Sequence, residues 1–382
     1  GGYVVLDFGV PEKNADGSVK SGIYNDPDNA YGVDFILYGN AMGTWAEPGC
    51  VQVSLDGENW YDLAGSLHYR PETTDKGYAI WDYSTTYTHP EAAESEGTGA
   101  NGVAVPYAST YKLRPTSTEK TESGTVDINA WHKHSYFPLF NNYFASPKTG
   151  ASALDGLLNT VPAGLNFTDK FGAYTAKSGT TASTLTLKGV KLVPPKTNNA
   201  NSTAPDDFLF GYVDCHPNGL RSNVQLNPYT TGRTSNTTSN GDPMDISWAV
   251  EADGTPKYLD AVRYVRCYTG VMQMNGIMGE SSSELLGSHK ATTKGGSAST
   301  SDITVTPNNS STPITLNTNN VTEVAAGAYK IVASDDHVFV NGVEVAGDEG
   351  TDYTVTVSAG DMIQIIAQTG TESPFLTVLK CN

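Results

Sequence analysis

The apolar residues of this chain are spaced for short β-strands and not for helices. Segments rich in Val, Ile, Tyr and Thr alternate with clusters of Gly, Pro, Asn and Asp, which favour turns. No long window repeats apolar residues every 3.6 positions, although Ala153–Leu158 is compatible with one or two helical turns. Many short strands with regular turns predict an all-β fold, either a β-sandwich or a jelly roll.

The individual strands and turns can be placed from the same pattern. The strand candidates are Tyr3–Phe8, Asp34–Tyr38, Val51–Leu55, Tyr78–Tyr83, Thr184–Leu187, Phe208–Asp214, Asp245–Val250, Val262–Tyr268, Lys330–Ala333 and Tyr353–Val357. Three dipeptides, Asp56-Gly57, Asp253-Gly254 and Asn341-Gly342, are typical of hairpin turns.

A change of composition near residue 297 divides the chain. His289–Ser301 is rich in Gly, Ser and Thr, which is the composition of a flexible linker. Residues 302–382 are poor in aromatic residues and alternate cleanly, as in Tyr353–Val357. We therefore expect a large jelly-roll-like β domain over residues 1–296 and a small β-sandwich over residues 297–382.

The charge of the chain excludes several classes of partner. The 382 residues include 23 Lys and Arg against 41 Asp and Glu, for a formal net charge of -18. Without a Lys/Arg cluster, nucleic acid and anionic membranes are poor partners. No segment approaches the ~18 apolar residues of a membrane span. Because the chain opens directly in strand-like residues, we expect targeting and anchoring segments to have been removed.

The four cysteines show no metal-binding spacing. Cys50, Cys215, Cys267 and Cys381 form no CxxC pair, and Cys50 and Cys267 lie in apolar segments. We expect them to be small buried hydrophobic residues rather than disulfide partners.

An ordered series of motifs in the first 290 residues is more specific than composition. It consists of Asp34–Asn40, Glu47–Ser54, Asn59–Ser66, His134–Pro138, Phe210–Asp214, Asp245–Val250, Val265–Gly270 and Gly279–Glu284. In this order the motifs resemble a family of exported cell-surface proteins of gut bacteria, in Bacteroides and Firmicutes, over roughly residues 1–288. The resemblance implies a galactose-binding-like jelly roll and an extracellular location, and it brings no established catalytic residues.

The chain departs from that family at three positions. Cys50 and Cys267 stand where the family usually has valine, which is consistent with a core role. Leu67 stands where an acidic residue is expected, so a ligand role at that point is in doubt.

Aromatic residues in predicted loops are the candidates for sugar binding. Aromatic faces stack on the apolar faces of sugar rings, while neighbouring polar groups bond the hydroxyls. The ligand-binding candidates are Trp45, Trp131, His132 and Tyr136. His132 and His134 also have the spacing of two zinc ligands on one strand face, but no third ligand is identifiable. Trp60 and Trp248 alternate like inward strand residues and are expected in the core.

Acidic clusters are the candidates for calcium. Asp26, Asp28 and Asp34 lie with two asparagines in one ten-residue loop, and calcium takes six to eight oxygen ligands. The alternative is that these side chains cap turns and strands. Asp206-Asp207 and Gly241–Asp245 are further candidates.

The sequence favours binding over catalysis. Glu47, Glu280 and Glu284 are available as carboxylates, but their spacing singles out no pair, and no nucleophile elbow, P-loop or HExxH motif occurs. We expect a monomeric extracellular bacterial surface protein that binds or adheres to a glycan or another nutrient- or host-derived ligand. The alternatives are a secreted glycan-active hydrolase and a structural surface scaffold.

Overall fold

The structure is a computed structural model. It describes residues 3–26, 29–42, 45–69, 77–88, 105–115, 117–126, 166–169, 172–176, 182–193, 209–219, 228, 241–254, 257–271, 283–291, 303–316, 322–333, 337–340, 343–345, 352–366 and 376–381. The predicted helical turn at Ala153–Leu158 lies outside these residues.

The regular structure of the described residues consists of β-strands and three short 3₁₀ turns, which confirms the all-β prediction. The first part holds β1 (Tyr3–Asp7), β2 (Glu12–Lys13), β3 (Val19–Ser21), β4 (Ile23–Tyr24), β5 (Phe35–Tyr38), β6 (Gly49–Ser54) and β7 (Tyr61–Leu63), with 3₁₀ turns at Ala30–Gly32 and Ser66–Tyr69. Next come β8 (Tyr78–Thr88), β9 (Val105–Lys112), β10 (Lys120–Val126), β11 (Asn166–Asp169), β12 (Gly172–Ala176) and β13 (Ala182–Val193).

The remaining strands follow in two groups. The first is β14 (Tyr212–Val213), β15 (Asp242–Met244), β16 (Ala249–Val250), β17 (Ala261–Val262), β18 (Tyr264–Thr269) and β19 (Gly287–Lys290), with a 3₁₀ turn at Ile246–Trp248. The second is β20 (Ile303–Pro307), β21 (Thr322–Val324), β22 (Gly327–Ala333), β23 (His337–Val340), β24 (Val343–Glu344), β25 (Asp352–Val357), β26 (Met362–Ile366) and β27 (Leu376–Cys381). No helix in the described part of the chain is long and apolar enough to cross a membrane.

A six-stranded antiparallel sheet, here called the central sheet, organises the first 290 residues. Its strand order is β1-β18-β6-β7-β16, and β14 also pairs with β6. Val51 and Val53 of β6 pair with Cys267 and Val265 of β18, and all four side chains are buried in one cluster. Because side chains alternate along a strand, this face of the central sheet is a core face.

A second six-stranded sheet, of order β10-β9-β8-β13-β12-β11, covers one end of the opposite face. Cys50 and Tyr268 of the central sheet are buried together with Val190 and Leu192 of β13. The Val190 N–H donates to the Tyr268 hydroxyl at 3.1 Å, and the Cys50 thiol donates to the Val190 carbonyl at 3.6 Å. The two sheets therefore face each other, while the strand order of a jelly roll stays a prediction.

Smaller sheets complete the described chain. Before residue 291 they are β15-β5-β19, β17-β4 and β2-β3, and after residue 302 they are β20-β22-β25 and β21-β27-β26-β23-β24. Among the described residues, no strand pair joins β1–β19 to β20–β27. The buried apolar side chains of the two regions are contiguous, however, so the domain boundary near residue 297 stays a prediction.

The core confirms two expectations. Trp248 is fully buried and packs against Phe210, with ring centroids 5.1 Å apart. All four cysteines are buried and free of disulfide bonds. Burial raises the pKa of the Cys267 thiol to about 12, which keeps it unreactive near neutral pH.

The strand predicted over Asp245–Val250 is wrong in its first half. Ile246–Trp248 is a 3₁₀ turn, and only Ala249–Val250 is a strand. The cause is the Asp245 side chain, which accepts a hydrogen bond from the Ser247 N–H at 2.7 Å and so caps a helical turn.

The three hairpin predictions have different outcomes. Val340 pairs with Val343, so the strands on either side of Asn341-Gly342 pair with each other as predicted. Asp56-Gly57 connects the paired strands β6 and β7 as predicted. Asp253-Gly254 makes a turn, but its flanking strands pair elsewhere, β16 with β7 and β17 with β4, so this hairpin prediction is wrong.

The predicted linker begins too early. His289 and Lys290 belong to β19 and pair with Ile36 and Phe35 of β5. The His289 ring stacks on Tyr38, with centroids 6.4 Å apart. Composition alone cannot show this pairing, because the partner strand lies far away in the sequence.

We expect limited proteolysis to cut first between residues 292 and 302. The backbone up to Lys290 is paired in a sheet, whereas the following residues are small and polar in sequence. Fragment masses from a time course with a broad-specificity protease measure this. A first cut within residues 3–290 that leaves 292–302 intact contradicts the boundary.

Candidate functional site

The structure describes three of the seven residues that the sequence put forward for ligands or metal. Trp45 is half-buried and forms a short antiparallel bridge with Met42, in which each backbone N–H donates to the other's carbonyl at 2.8 and 3.0 Å. Asp26 is half-buried and Asp34 is buried. The other candidates, Asp28, Trp131, His132 and Tyr136, lie outside the described residues.

The loop that carries Trp45 is held by a residue that sequence reasoning did not single out, Asp214. It follows β14 and is fully buried, with a left-handed φ of 60°. Its Oδ1 accepts from the N–H groups of Asn40 at 2.7 Å and Ala41 at 2.8 Å, and its Oδ2 from that of Glu284 at 3.0 Å. The Asp214 carbonyl accepts from the Glu47 N–H at 3.1 Å. One residue thus joins both ends of the 40–47 loop to the segment before β19.

Glycine is required where this loop starts. A Cβ on Gly39 would lie 2.7 Å from the Asp214 Cα and would also clash with the Asp214 carboxylate. Any other residue at position 39 would push the loop away from Asp214. The Tyr38-Gly39-Asn40-Ala41 motif therefore has a packing explanation.

Three carboxylates meet where Asp214 joins the 40–47 loop to the segment before β19. We call this place the Asp214 junction. Glu47, Asp214 and Glu284 each offer an oxygen, and these oxygens lie within 4.8 Å of one another. Burial, together with the charges of Asp242 and Glu284, raises the pKa of Asp214 to about 7, against the opposing effect of its backbone hydrogen bonds. Three such carboxylates can accept hydrogen bonds from sugar hydroxyls, act as a general acid and base, or bind a cation. The residue types alone do not decide which of these three roles applies.

A buried His–Asp pair supports the junction. His216 Nδ1 lies 2.8 Å from Asp242 Oδ1, and the Cys215 N–H donates to Asp242 Oδ2 at 3.1 Å. Asn218 donates its side-chain N–H to the Gly39 carbonyl at 2.6 Å. These contacts fix the segment after Asp214 to β15 and to the start of the loop.

The proposed calcium loop holds a separate buried network. Asp34 accepts hydrogen bonds from the Asp26 N–H, the Asn29 side chain and the Ile246 N–H, at 2.9 to 3.1 Å. Burial and the neighbouring Asp245 charge raise the pKa of Asp34 well above its ordinary value. These contacts are those of the turn-capping alternative. Calcium at Asp26, Asp28 and Asp34 stays a prediction.

Trp60 is not a core residue, contrary to the prediction. It lies half-buried at the end of the β6–β7 connection, with the Arg266 guanidinium 3.8 Å from its ring centroid. The turn around Asp56, which accepts from the Glu58 and Asn59 N–H groups, places the residue before β7 on the surface. The inward–outward alternation of side chains in the strand therefore does not extend to Trp60.

Sequence comparison supplies no relative for the site. The chain matches no protein-family model and no curated protein. Its function is therefore argued from the geometry above and from the motif series.

The buried Asp245 gives a pH-dependent stability that can be measured. Burial raises its pKa from 3.8 to about 7, so its contribution to stability is complete below about pH 4 and is lost as the pH rises through 7. Asp245→Asn keeps the capping oxygen without the charge. We expect the variant to gain about 2 kcal/mol of unfolding free energy relative to the parent between pH 5 and pH 7.

The matched control is Asp56→Asn, in an exposed turn where hydrogen bonds from Asn59 and Glu58 lower the pKa of Asp56. The difference in unfolding free energy between Asp56→Asn and the parent should stay constant from pH 5 to 7, because Asp56 is ionised there in both the folded and the unfolded state. Denaturant unfolding at several pH values measures both variants. A flat difference for Asp245→Asn would show that this carboxyl is not perturbed.

Proposed function

We propose that this chain is an extracellular bacterial surface protein that binds a glycan through the loop carrying Trp45. The observation that supports the proposal is the anchoring of this loop by Asp214 beside the carboxylates of Glu47 and Glu284. The extracellular location rests on the motif series, whose segments 34–40, 47–54, 210–214 and 279–284 include the residues of this junction.

The chemistry of the loop suits a sugar. Met42 is 59% exposed and Trp45 is half-buried, and both belong to the loop that ends at the Glu47 carboxylate. An indole or thioether can cover the apolar face of a sugar ring, and carboxylates accept hydrogen bonds from its hydroxyls. Because Asp214 already fixes both ends of the loop, less conformational entropy is lost on binding.

The carboxylate spacing favours a second candidate, a glycan-active hydrolase. Retaining glycosidases hold two carboxyl groups about 5 Å apart, and the oxygens here lie within 4.8 Å of one another. Both Asp214 oxygens already accept backbone hydrogen bonds, so Glu47 and Glu284 would form the catalytic pair. A binder leaves the glycan intact, and a hydrolase shortens it.

A glycan array probed with the parent chain and with Trp45→Ala tests the proposal. We expect the parent chain to bind a defined subset of the glycans. Trp45→Ala should bind the same glycans about tenfold more weakly, because one aromatic contact is lost. Leu55→Ala, which truncates a side chain that is 53% exposed in the β6–β7 connection, is the matched control and should bind like the parent.

The same glycans, incubated with the protein and weighed by mass spectrometry, separate the two candidates. Intact glycan supports the binding function. Shortened products that disappear with Glu284→Gln would establish the hydrolase. A parent chain that retains no glycan would remove the proposal and leave a structural surface scaffold.

A further inference from the structure

A second surface of the central sheet combines aromatic rings with cations. Tyr264 and Arg266 lie on one face of β18, Tyr3 lies beside them on β1, and Trp60 precedes β7. We call these four residues the Arg266 face. The Arg266 guanidinium lies 3.8 Å from the Trp60 ring centroid and 5.5 Å from that of Tyr3, and the Trp60 and Tyr264 rings are 6.2 Å apart.

The indole of Trp60 is held in place before any ligand arrives. Arg266 is only 4% exposed, and its Nε and Nη2 both donate to Gln52 Oε1, at 3.0 and 2.6 Å. The Trp60 Nε1–H donates to the Gly57 carbonyl at 2.8 Å. One face of the indole therefore packs on the fixed Arg266 guanidinium, and its N–H edge is held by the hydrogen bond to Gly57. The position of the ring is thus set by contacts within the protein.

Part of this surface meets solvent. Trp60 is half-buried, and Tyr3 and Val5 on the edge strand β1 are 43% and 40% exposed. The second sheet covers the neighbouring end of the same face, at Cys50 and Tyr268. The exposed aromatic area thus borders a wall formed by the second sheet.

The charges on this face select the ligand class. Arg266 already occupies one side of Trp60, and Arg263 lies 4.5 Å from the Tyr264 centroid while bonded to Asp7. A cationic ligand would meet rings that already carry a cation, and an anionic polymer would meet a chain of net charge -18. A neutral ring with an apolar face is complementary to this surface.

We propose that the Arg266 face binds a neutral sugar ring, which stacks on Trp60. This surface is separate from the Trp45 loop. Glu47 precedes one end of β6, whereas Trp60 precedes Tyr61, which pairs with Val53 near the other end. The length of β6 is about 17 Å at the rise of an extended strand. The inference therefore does not depend on the site proposed above.

Fluorine NMR of the chain labelled with 5-fluorotryptophan tests it directly. The five tryptophans give five signals, assigned by replacing each with phenylalanine in turn. The probes are the neutral oligosaccharides cellohexaose, xylohexaose, mannohexaose and maltohexaose. We expect at least one of them to shift the Trp60 signal in a saturable way, while the signal of the buried Trp248 stays in place.

Two variants separate stacking from folding. In calorimetric titration, Trp60→Ala should bind the saturating oligosaccharide about tenfold more weakly than the parent, and Trp60→Tyr, which keeps a ring, should recover most of the affinity. An unchanged Trp248 signal in both variants shows that the core is intact, since removing the indole only exposes Arg266 to water.

The remaining outcomes overturn the inference. A shift of Trp45 alone would leave the proposed function standing and remove the Arg266 face. A Trp60 signal that moves with protein concentration in the absence of sugar would make this face a contact between copies of the chain. A Trp60 signal unmoved by all four probes would likewise reject it.

Discussion

Three backbone N–H groups, from two segments distant in the sequence, donate to the carboxylate of Asp214. A buried N–H left without an acceptor costs about 1–3 kcal/mol. The Ala41 bond is buried and the Asn40 and Glu284 bonds are part-buried, so together they hold the start of the loop and the segment at Glu284 in place. Two local features make this contact possible: the left-handed backbone of Asp214 and the missing side chain of Gly39. The motif Tyr38-Gly39-Asn40-Ala41 and the segment around Glu284 depend on this one residue.

The same carboxylate connects stability with chemistry. Burial is the main cause of the raised pKa of Asp214, and repulsion from the charges of Asp242 and Glu284 adds to it. The fold tolerates this repulsion because the backbone N–H groups partly offset it. The half-buried Glu47 and Glu284 carboxylates lie at the junction that anchors the loop carrying Met42 and Trp45.

The central sheet gives both proposed surfaces their positions. Strand β6 leads from the Asp214 junction at Gly49 to the Arg266 face at Ser54, and β18 pairs with it over that whole length. Val51 and Val53 anchor the strand in the core on the other face. The Trp45 loop at one end and the Arg266 face at the other are therefore attached to the same strand, β6.

Much of the fold follows from local sequence, because alternation and turn residues report on strands directly. That rule fails where a side chain competes with the ladder, as Asp245 does in capping Ile246–Trp248, and where the pairing is distant, as for His289 in β19. The candidate site is harder to predict from the sequence. Glu47 and Glu284 were recognised as carboxylates, but only the fold brings them together. The sequence shows Asp214 only as a charged residue inside the apolar segment Tyr212–Cys215. Alternation predicts the wrong environment for Trp60, because the Asp56 turn interrupts the strand before β7.

Hydrogen exchange of Asp214→Gly tests the central claim most directly. Glycine accepts the left-handed φ of 60° without strain, so the substitution removes the carboxylate acceptor and little else. The account predicts that amides in segments 40–47 and 283–286 lose protection together, while amides of the β8–β13 sheet keep theirs. Unchanged protection in both segments would contradict it.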